Sequence, residues 1–202
     1  RLSLVGSEMC IRDSYSRHFP TVEIDATYYA VPAAGTVRGW ADKTPEGFIF
    51  TAKFPKAIVH AGEKAAPDRD KLLTPEKTYP IRDSFLENIS ILGPKLGPLL
   101  LQFPYFSKKV FDNPSRFFDR LDRFLGDLPE DFRYAVEIRN RYWLKPALVK
   151  LCREHDVALT LVDHAWMPHG DELESEFDPV TTDFSYIPVS YTHLRAHETK
   201  AN

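Results

Sequence analysis

Residues 98–104, PLLLQFP, are an apolar run with one polar residue, Gln102, near its end. A run of this kind suits a strand covered on both faces, as strands of parallel sheets are. The stretch 133–143, RYAVEIRNRYW, repeats the design with more charge. Tyr134, Val136 and Ile138 alternate with Ala135 and Glu137, and Arg139 follows. Glu137 and Arg139 are two apart, so in an extended chain both point to one face. A strand that begins apolar and ends in charge is either turning to solvent or presenting a site.

The same pattern recurs. In TVEIDATYYA, from Thr21, Val22, Ile24 and Ala26 alternate with Glu23 and Asp25. FIFTAKF, residues 48–54, carries Lys53 near its end and is stopped by Pro55. Val157 to Val162 ends in Asp163 and His164, and Phe184 to Val189 starts as another strand. Between these lie helical stripes. Val37, Trp40 and Ala41 mark a short helix within 33–42. Asp83 or Ser84 can cap a helix bearing Phe85, Ile89 and Leu92. Asn113 followed by Pro114 starts the best-defined helix, with Phe117, Phe118, Leu121, Phe124, Leu125 and Leu128 on its inner side. Leu148, Val149 and Cys152 line another over 146–155. Residues 61–80 read as a polar, Pro-rich excursion or long loop, and 168–182 as loop.

At 202 residues, 43% hydrophobic and 27% charged, the chain suits one globular domain. A net charge of −3 offers no basic field for a nucleic-acid backbone. No apolar run is long enough to span a membrane. Two cysteines, Cys10 and Cys152, make neither a disulfide framework nor a zinc knuckle, and a cytoplasmic location is expected. Residues 1–14 and 189–202 lack periodicity and resemble translated sequencing-adapter sequence, so the expected domain is 15–188 with non-native tails.

Strands alternating with amphipathic helices imply an α/β fold with a parallel sheet and helices packed outside. No glycine-rich phosphate turn follows any strand, which disfavours a dinucleotide-binding fold. The alternative is a β/α (TIM-type) barrel, whose sites gather at the C-terminal ends of the strands. The residues there are Glu23, Asp25, Lys53, Gln102, Glu137, Arg139 and Asp163.

FPTVEIDATYY, TVRGWADKTPEGFIFTAKFPKAIVH, LGPLLLQFP and RYAVEIRNRYW, followed by an alternating strand to Asp163, resemble the YecE-like family, domain of unknown function 72. The likeness covers about residues 15–188. It implies a β/α barrel, incomplete here, with about strands two to seven of eight, and it implies no particular reaction. Glu23, Thr27 and Tyr28 fall on one family motif, Lys53 and His60 on a second, Gln102 on a third, Glu137, Arg139 and Trp143 on a fourth, and Asp163 closes the next strand. Asn140-Arg141-Tyr142 departs from the family's usual His-Pro-Ser.

The expected catalytic set is Glu23, Lys53, Glu137 and Arg139, with a carboxylate as acid/base and a cation holding an anionic group. The expected substrate-binding set is Thr27, Tyr28, His60, Gln102, Trp143 and Asp163. The corresponding activity is acid/base chemistry on a small polar or anionic metabolite. No residue is assigned to a metal and no cofactor or oligomeric state is specified. A metal-dependent barrel enzyme of the sugar-isomerase or phosphodiesterase kind stands as one alternative. A non-catalytic protein binding a ligand or nucleic acid stands as another, the acidic charge arguing against nucleic acid.

Overall fold

The structure, a computed structural model, describes residues 15–188 except 17, 63–65, 163–165 and 169. Five strands form one parallel sheet in sequential order: β1 (Thr21–Ile24), β2 (Ile49–Lys53), β3 (Leu96–Phe103), β4 (Tyr134–Ile138) and β5 (Val157–Leu159). The helices are α1 (Ala26–Tyr29), α2 (Ala34–Asp42), α3 (Lys56–Val59), α4 (Pro75–Ile89), α5 (Pro114–Gly126), α6 (Pro146–Glu154) and α7 (Gly170–Glu176). Two 3₁₀ segments, Ser90–Lys95 and Arg141–Trp143, lie between them. The α/β class and the parallel pairing are as the sequence implies. The sheet is open among the described residues: β1 and β5 are its edges and do not pair with each other.

The period-2 alternation sorts each strand into two faces. Phe50 and Ala52 of β2, Leu99, Leu101 and Phe103 of β3, Tyr134, Val136 and Ile138 of β4, and Val157 and Leu159 of β5 belong to one large core. The helices complete that core with residues such as Phe85, Ile89, Phe117, Leu121, Phe124, Leu148 and Cys152. The opposite face carries Glu23, Thr51, Lys53, Leu100, Gln102, Ala135, Glu137 and Ala158. There Leu100, Ala135 and Ala158 form a separate small apolar cluster, with Phe184 and Tyr186 packed on it. Between β2 and β3 the register shifts at Phe50/Ala52. Gly97 sits at that crowded point: a Cβ there would lie 2.6 Å from Ile49 Cγ2 and 3.2 Å from the Phe50 carbonyl oxygen.

The start of α5 follows its sequence: the Asn113 side chain accepts a 2.8 Å hydrogen bond from the Ser115 N–H, with Pro114 at the first position. Several expectations change: the first strand stops at Ile24, with Ala26 already in α1, and the strand expected over 157–162 ends at Leu159. The helix expected from Asp83 or Ser84 begins eight or nine residues earlier, at Pro75, and contains Pro80. Its early inner positions are Thr78 and Arg82, buried but polar, so the hydrophobic stripe is silent there. Thr78 donates to the Thr74 carbonyl at 2.8 Å, and Arg82 donates to the Asp127 carbonyl at 2.9 Å while lying 3.8 Å over the Tyr79 ring. The loop expected over 168–182 contains α7. The described part of 184–189 is not a strand; one backbone bond, from Leu161 N–H to the Tyr186 carbonyl at 3.2 Å, ties it to the chain beyond β5. A single bond makes no ladder, and it aligns the segment only enough to lay Phe184 and Tyr186 on the inner cluster. The expected terminal tails lie outside the described residues.

Candidate functional site

The inner face is built in rows fixed by strand register. In the first, Glu23 lies opposite Thr51. In the second, Lys53, Leu100, Ala135 and Ala158 are successive partners. In the third, Gln102 lies opposite Glu137. Val136 pairs with Leu159, so Thr160 comes next to Glu137 in that third row. The rows advance toward the C-terminal ends of the strands, from a carboxylate through an apolar layer to a polar one.

Glu137 is 1% exposed. Its Oε1 accepts from Arg139 Nε at 2.9 Å and its Oε2 from Gln102 Nε2 at 2.7 Å. A carboxylate taken this far from water needs such donors, because an unpaired buried charge is strongly destabilising. The Arg139 side chain is 53% exposed, so its guanidinium links the buried carboxylate to the open end of the face.

Glu23 and Lys53 form a second group. Lys53 Nζ lies 2.8 Å from Glu23 Oε1 and 2.5 Å from Asp25 Oδ1. The Tyr186 hydroxyl donates to Glu23 Oε2 and lies 3.1 Å from Thr51 Oγ1. Burial pulls Lys53 toward neutrality, but its hydrogen bonds to Asp25 and Glu23 outweigh that and hold its pKa above the ordinary value. Burial, then the hydrogen bond to Glu23, pushes Tyr186 well up, so it stays a neutral donor. Tyr28, packed edge-on against Tyr29 at 5.4 Å, is also raised, by burial and then by Tyr29; Arg139 and Lys53 pull it the other way.

The other residues singled out from sequence sit elsewhere. Thr27 is buried: its hydroxyl donates to the Ile24 carbonyl at 2.8 Å and accepts from the Lys53 N–H at 3.1 Å, stitching α1 to β1 and β2. Trp143 belongs to the outer core, stacked on Phe106 at 5.8 Å and tilted against Phe117 at 5.3 Å. His60, 5% exposed, follows α3, and its Nδ1 accepts from the Gly62 N–H at 3.1 Å. Asp163 lies outside the described residues. Cys152 is a core side chain whose thiol burial pushes up to about 12, the reverse of nucleophile activation.

Sequence reading missed Tyr186, Asn140 and Thr160. Asn140 is buried and holds the loop after β3 against the loop after β4. Its Oδ1 accepts from the Phe106 N–H and its Nδ2 donates to the Phe106 carbonyl, both at 2.8 Å. Alternation alone would have put Tyr186 on one face with Phe184, but no sequence signal joins it to a glutamate 163 residues away. A cavity of about 450 Å³ lies at the other end of the sheet, lined by Leu128, Tyr134, His155 and Val157 among others. It lies by the starts of β4 and β5, away from Glu23 and Glu137.

The molecule is thus an α/β protein with a parallel sheet and a charged, hydrogen-bonded cluster toward the C-terminal ends of its strands. The family model "Protein of unknown function DUF72" matches residues 12–200, and the chain belongs to that family. It is 31% identical over 170 residues to the UPF0759 protein YecE of Escherichia coli K12, covering 80% of this chain and 56% of that protein. To the UPF0759 protein YunF of Bacillus subtilis it is 30% identical over 135 residues, covering 66% and 44%. The chain therefore spans about half the length of these relatives. A crystal structure of a DUF72 family protein from Enterococcus faecalis V583 superposes with a TM-score of 0.59 at 24% identity, over 88% of this chain and 67% of that one. One from Thermotoga maritima superposes with a TM-score of 0.51 at 23% identity, over 93% and 66%. These likenesses concern the fold. No helix among the described residues is long and apolar enough to cross a membrane.

Proposed function

We propose that the five strands are part of a β/α barrel, and that the protein is an enzyme acting on a small anionic metabolite at the strands' C-terminal ends. The observation that carries this reading is the Glu137–Arg139 pair, a buried carboxylate tied to a half-exposed guanidinium. Lys53 is already bonded to two carboxylates, so its charge is spent within the protein. Among the described residues Arg139 meets one, at one edge of its planar fork, and a fork suits bidentate binding of a carboxylate or phosphate. Glu137 is then the acid/base beside the bound anion. Glu23, held by Lys53 and Tyr186, anchors the side of the site nearer β1 and β2.

The test is calorimetric titration with small organic carboxylates and phosphate monoesters. Wild-type protein binds one of these classes, R139A loses at least about tenfold in affinity, and E137Q binds the anion as well or better while abolishing turnover of any compound the wild type converts. Anion affinity unchanged in R139A, or no anion bound at all, refutes the proposal.

A further inference from the structure

Four threonines are buried among the described residues: Thr27, Thr78, Thr160 and Thr181. Three have their hydroxyls fully explained. Thr27 and Thr78 bond backbone as given above. Thr181 donates to the Val157 carbonyl at 2.7 Å and accepts from the Leu159 N–H at 2.8 Å. Thr160 differs. It is 4% exposed, and its Oγ1 is a buried side-chain oxygen with no hydrogen-bond partner. Folded proteins rarely leave such a group orphaned, since its lost hydration is not repaid.

Its position gives the orphan a meaning. The Thr160 N–H bonds the Val136 carbonyl at 2.9 Å, so the chain is still aligned on β4 at this point. Strand parity puts Thr160 on the same face as Ala158, above the apolar floor of Leu100, Ala135 and Ala158. It stands beside Glu137 and one strand further from Gln102, in the row nearest the open end. From this we infer that Thr160, Glu137 and Gln102 form a hydroxyl-binding subsite, and that the ligand is a small hydroxy-carboxylate of the sugar-acid kind. Its carboxylate lies on Arg139 and its hydroxyl reaches inward to Thr160 Oγ1. The inference rests on the anion site proposed above and adds the ligand's second anchor. A row of acid, amide and hydroxyl suits a ligand bearing hydroxyls better than a bare anion.

The experiment uses D-glycerate and propionate, carboxylates with and without hydroxyls, on wild type, T160V and T160S, with thermal melting of each protein in the absence of ligand. Valine matches threonine in shape and removes only the hydroxyl. The expected result is that T160V melts at or above the wild-type temperature, binds D-glycerate about tenfold more weakly, and binds propionate like the wild type. T160S keeps the D-glycerate affinity. If T160V melts several degrees lower, the hydroxyl is bonded within the protein and the inference is overturned. It is overturned equally if T160V binds D-glycerate unchanged while R139A loses both ligands, an outcome that leaves the anion site standing. If the wild type binds neither compound, the anion site fails and the ligand assigned to Thr160 fails with it.

Discussion

Asn140→Ala should be among the most damaging single substitutions outside the hydrophobic core. The Asn140 amide makes two 2.8 Å hydrogen bonds to the backbone of Phe106, one to its N–H and one to its carbonyl. Both residues are buried, at 7% and 2% exposure. Alanine removes both bonds and leaves the two Phe106 groups unpaired, each at a cost of about 1–3 kcal/mol. Water entering the space left by the amide recovers part of this, so the net loss is about 3 kcal/mol. With a urea m-value of about 2 kcal/mol/M, the unfolding midpoint falls by about 1.5 M. Tryptophan fluorescence is a suitable probe, because Trp143 stacks on Phe106 and reports that loop directly. Asn140→Asp is the informative control. Its carboxylate keeps the acceptor but turns a second oxygen toward the Phe106 carbonyl, so near neutral pH it is at least as unstable as the alanine variant. Protonation restores a donor, and its deficit against wild type at the same pH narrows in acid. A midpoint for Asn140→Ala within about 0.3 M of wild type, at unchanged m, would refute the reasoning and make the double bond to Phe106 energetically idle.

Phe117→Ala removes the ring that meets Phe103 at 5.0 Å, Phe106 at 5.2 Å and Trp143 at 5.3 Å. It should cost about 4 kcal/mol in the same urea assay. Stability should also fall on the alkaline side. Cys152, Tyr134, Tyr186 and Lys53 all hold protons more tightly folded than unfolded. Their contributions are therefore complete below the unfolded values and are lost as pH rises through the folded ones. Cys152 has the lowest ordinary value, 9.0, and burial pushes it up to about 12. The decline in urea midpoint should begin near pH 9, and Cys152→Ala should delay its onset by about one pH unit, to where tyrosine and lysine take over.

Strand positions and the facing of their polar ends were readable because both depend on a period of two. Gln102 and Glu137 could be placed on one face from spacing alone, and register then made them direct partners. The α5 helix was readable from its cap and stripe. The front half of α4 was not, because its buried positions are Thr78 and Arg82 and because Pro80 signals a break. That half is held by hydrogen bonds from Tyr79 and Arg82 to Asp127, while the apolar stripe begins only at Phe85. Trp143 shows the converse difficulty. An aromatic near a charged strand end suits a ligand pocket and a core equally well in sequence, and only packing against Phe106, Phe111 and Phe117 decides its place. Asn140 and Thr160 stand out by what each does or does not bond, a property invisible before the chain is folded.

The bond from Tyr186 to Glu23 has a consequence for how the chain is made. β1 leaves the ribosome well before Tyr186, whose hydroxyl settles its inward carboxylate from 163 residues further along the chain. Until that segment arrives, the Glu23 carboxylate is balanced by Lys53 alone among its inner-face neighbours. Contacts of such long sequence separation form late and slowly, and a strand not yet packed invites pairing with other chains meanwhile. Translation stalled before residue 186 should therefore yield nascent chains whose β1 is the part that chaperones must cover.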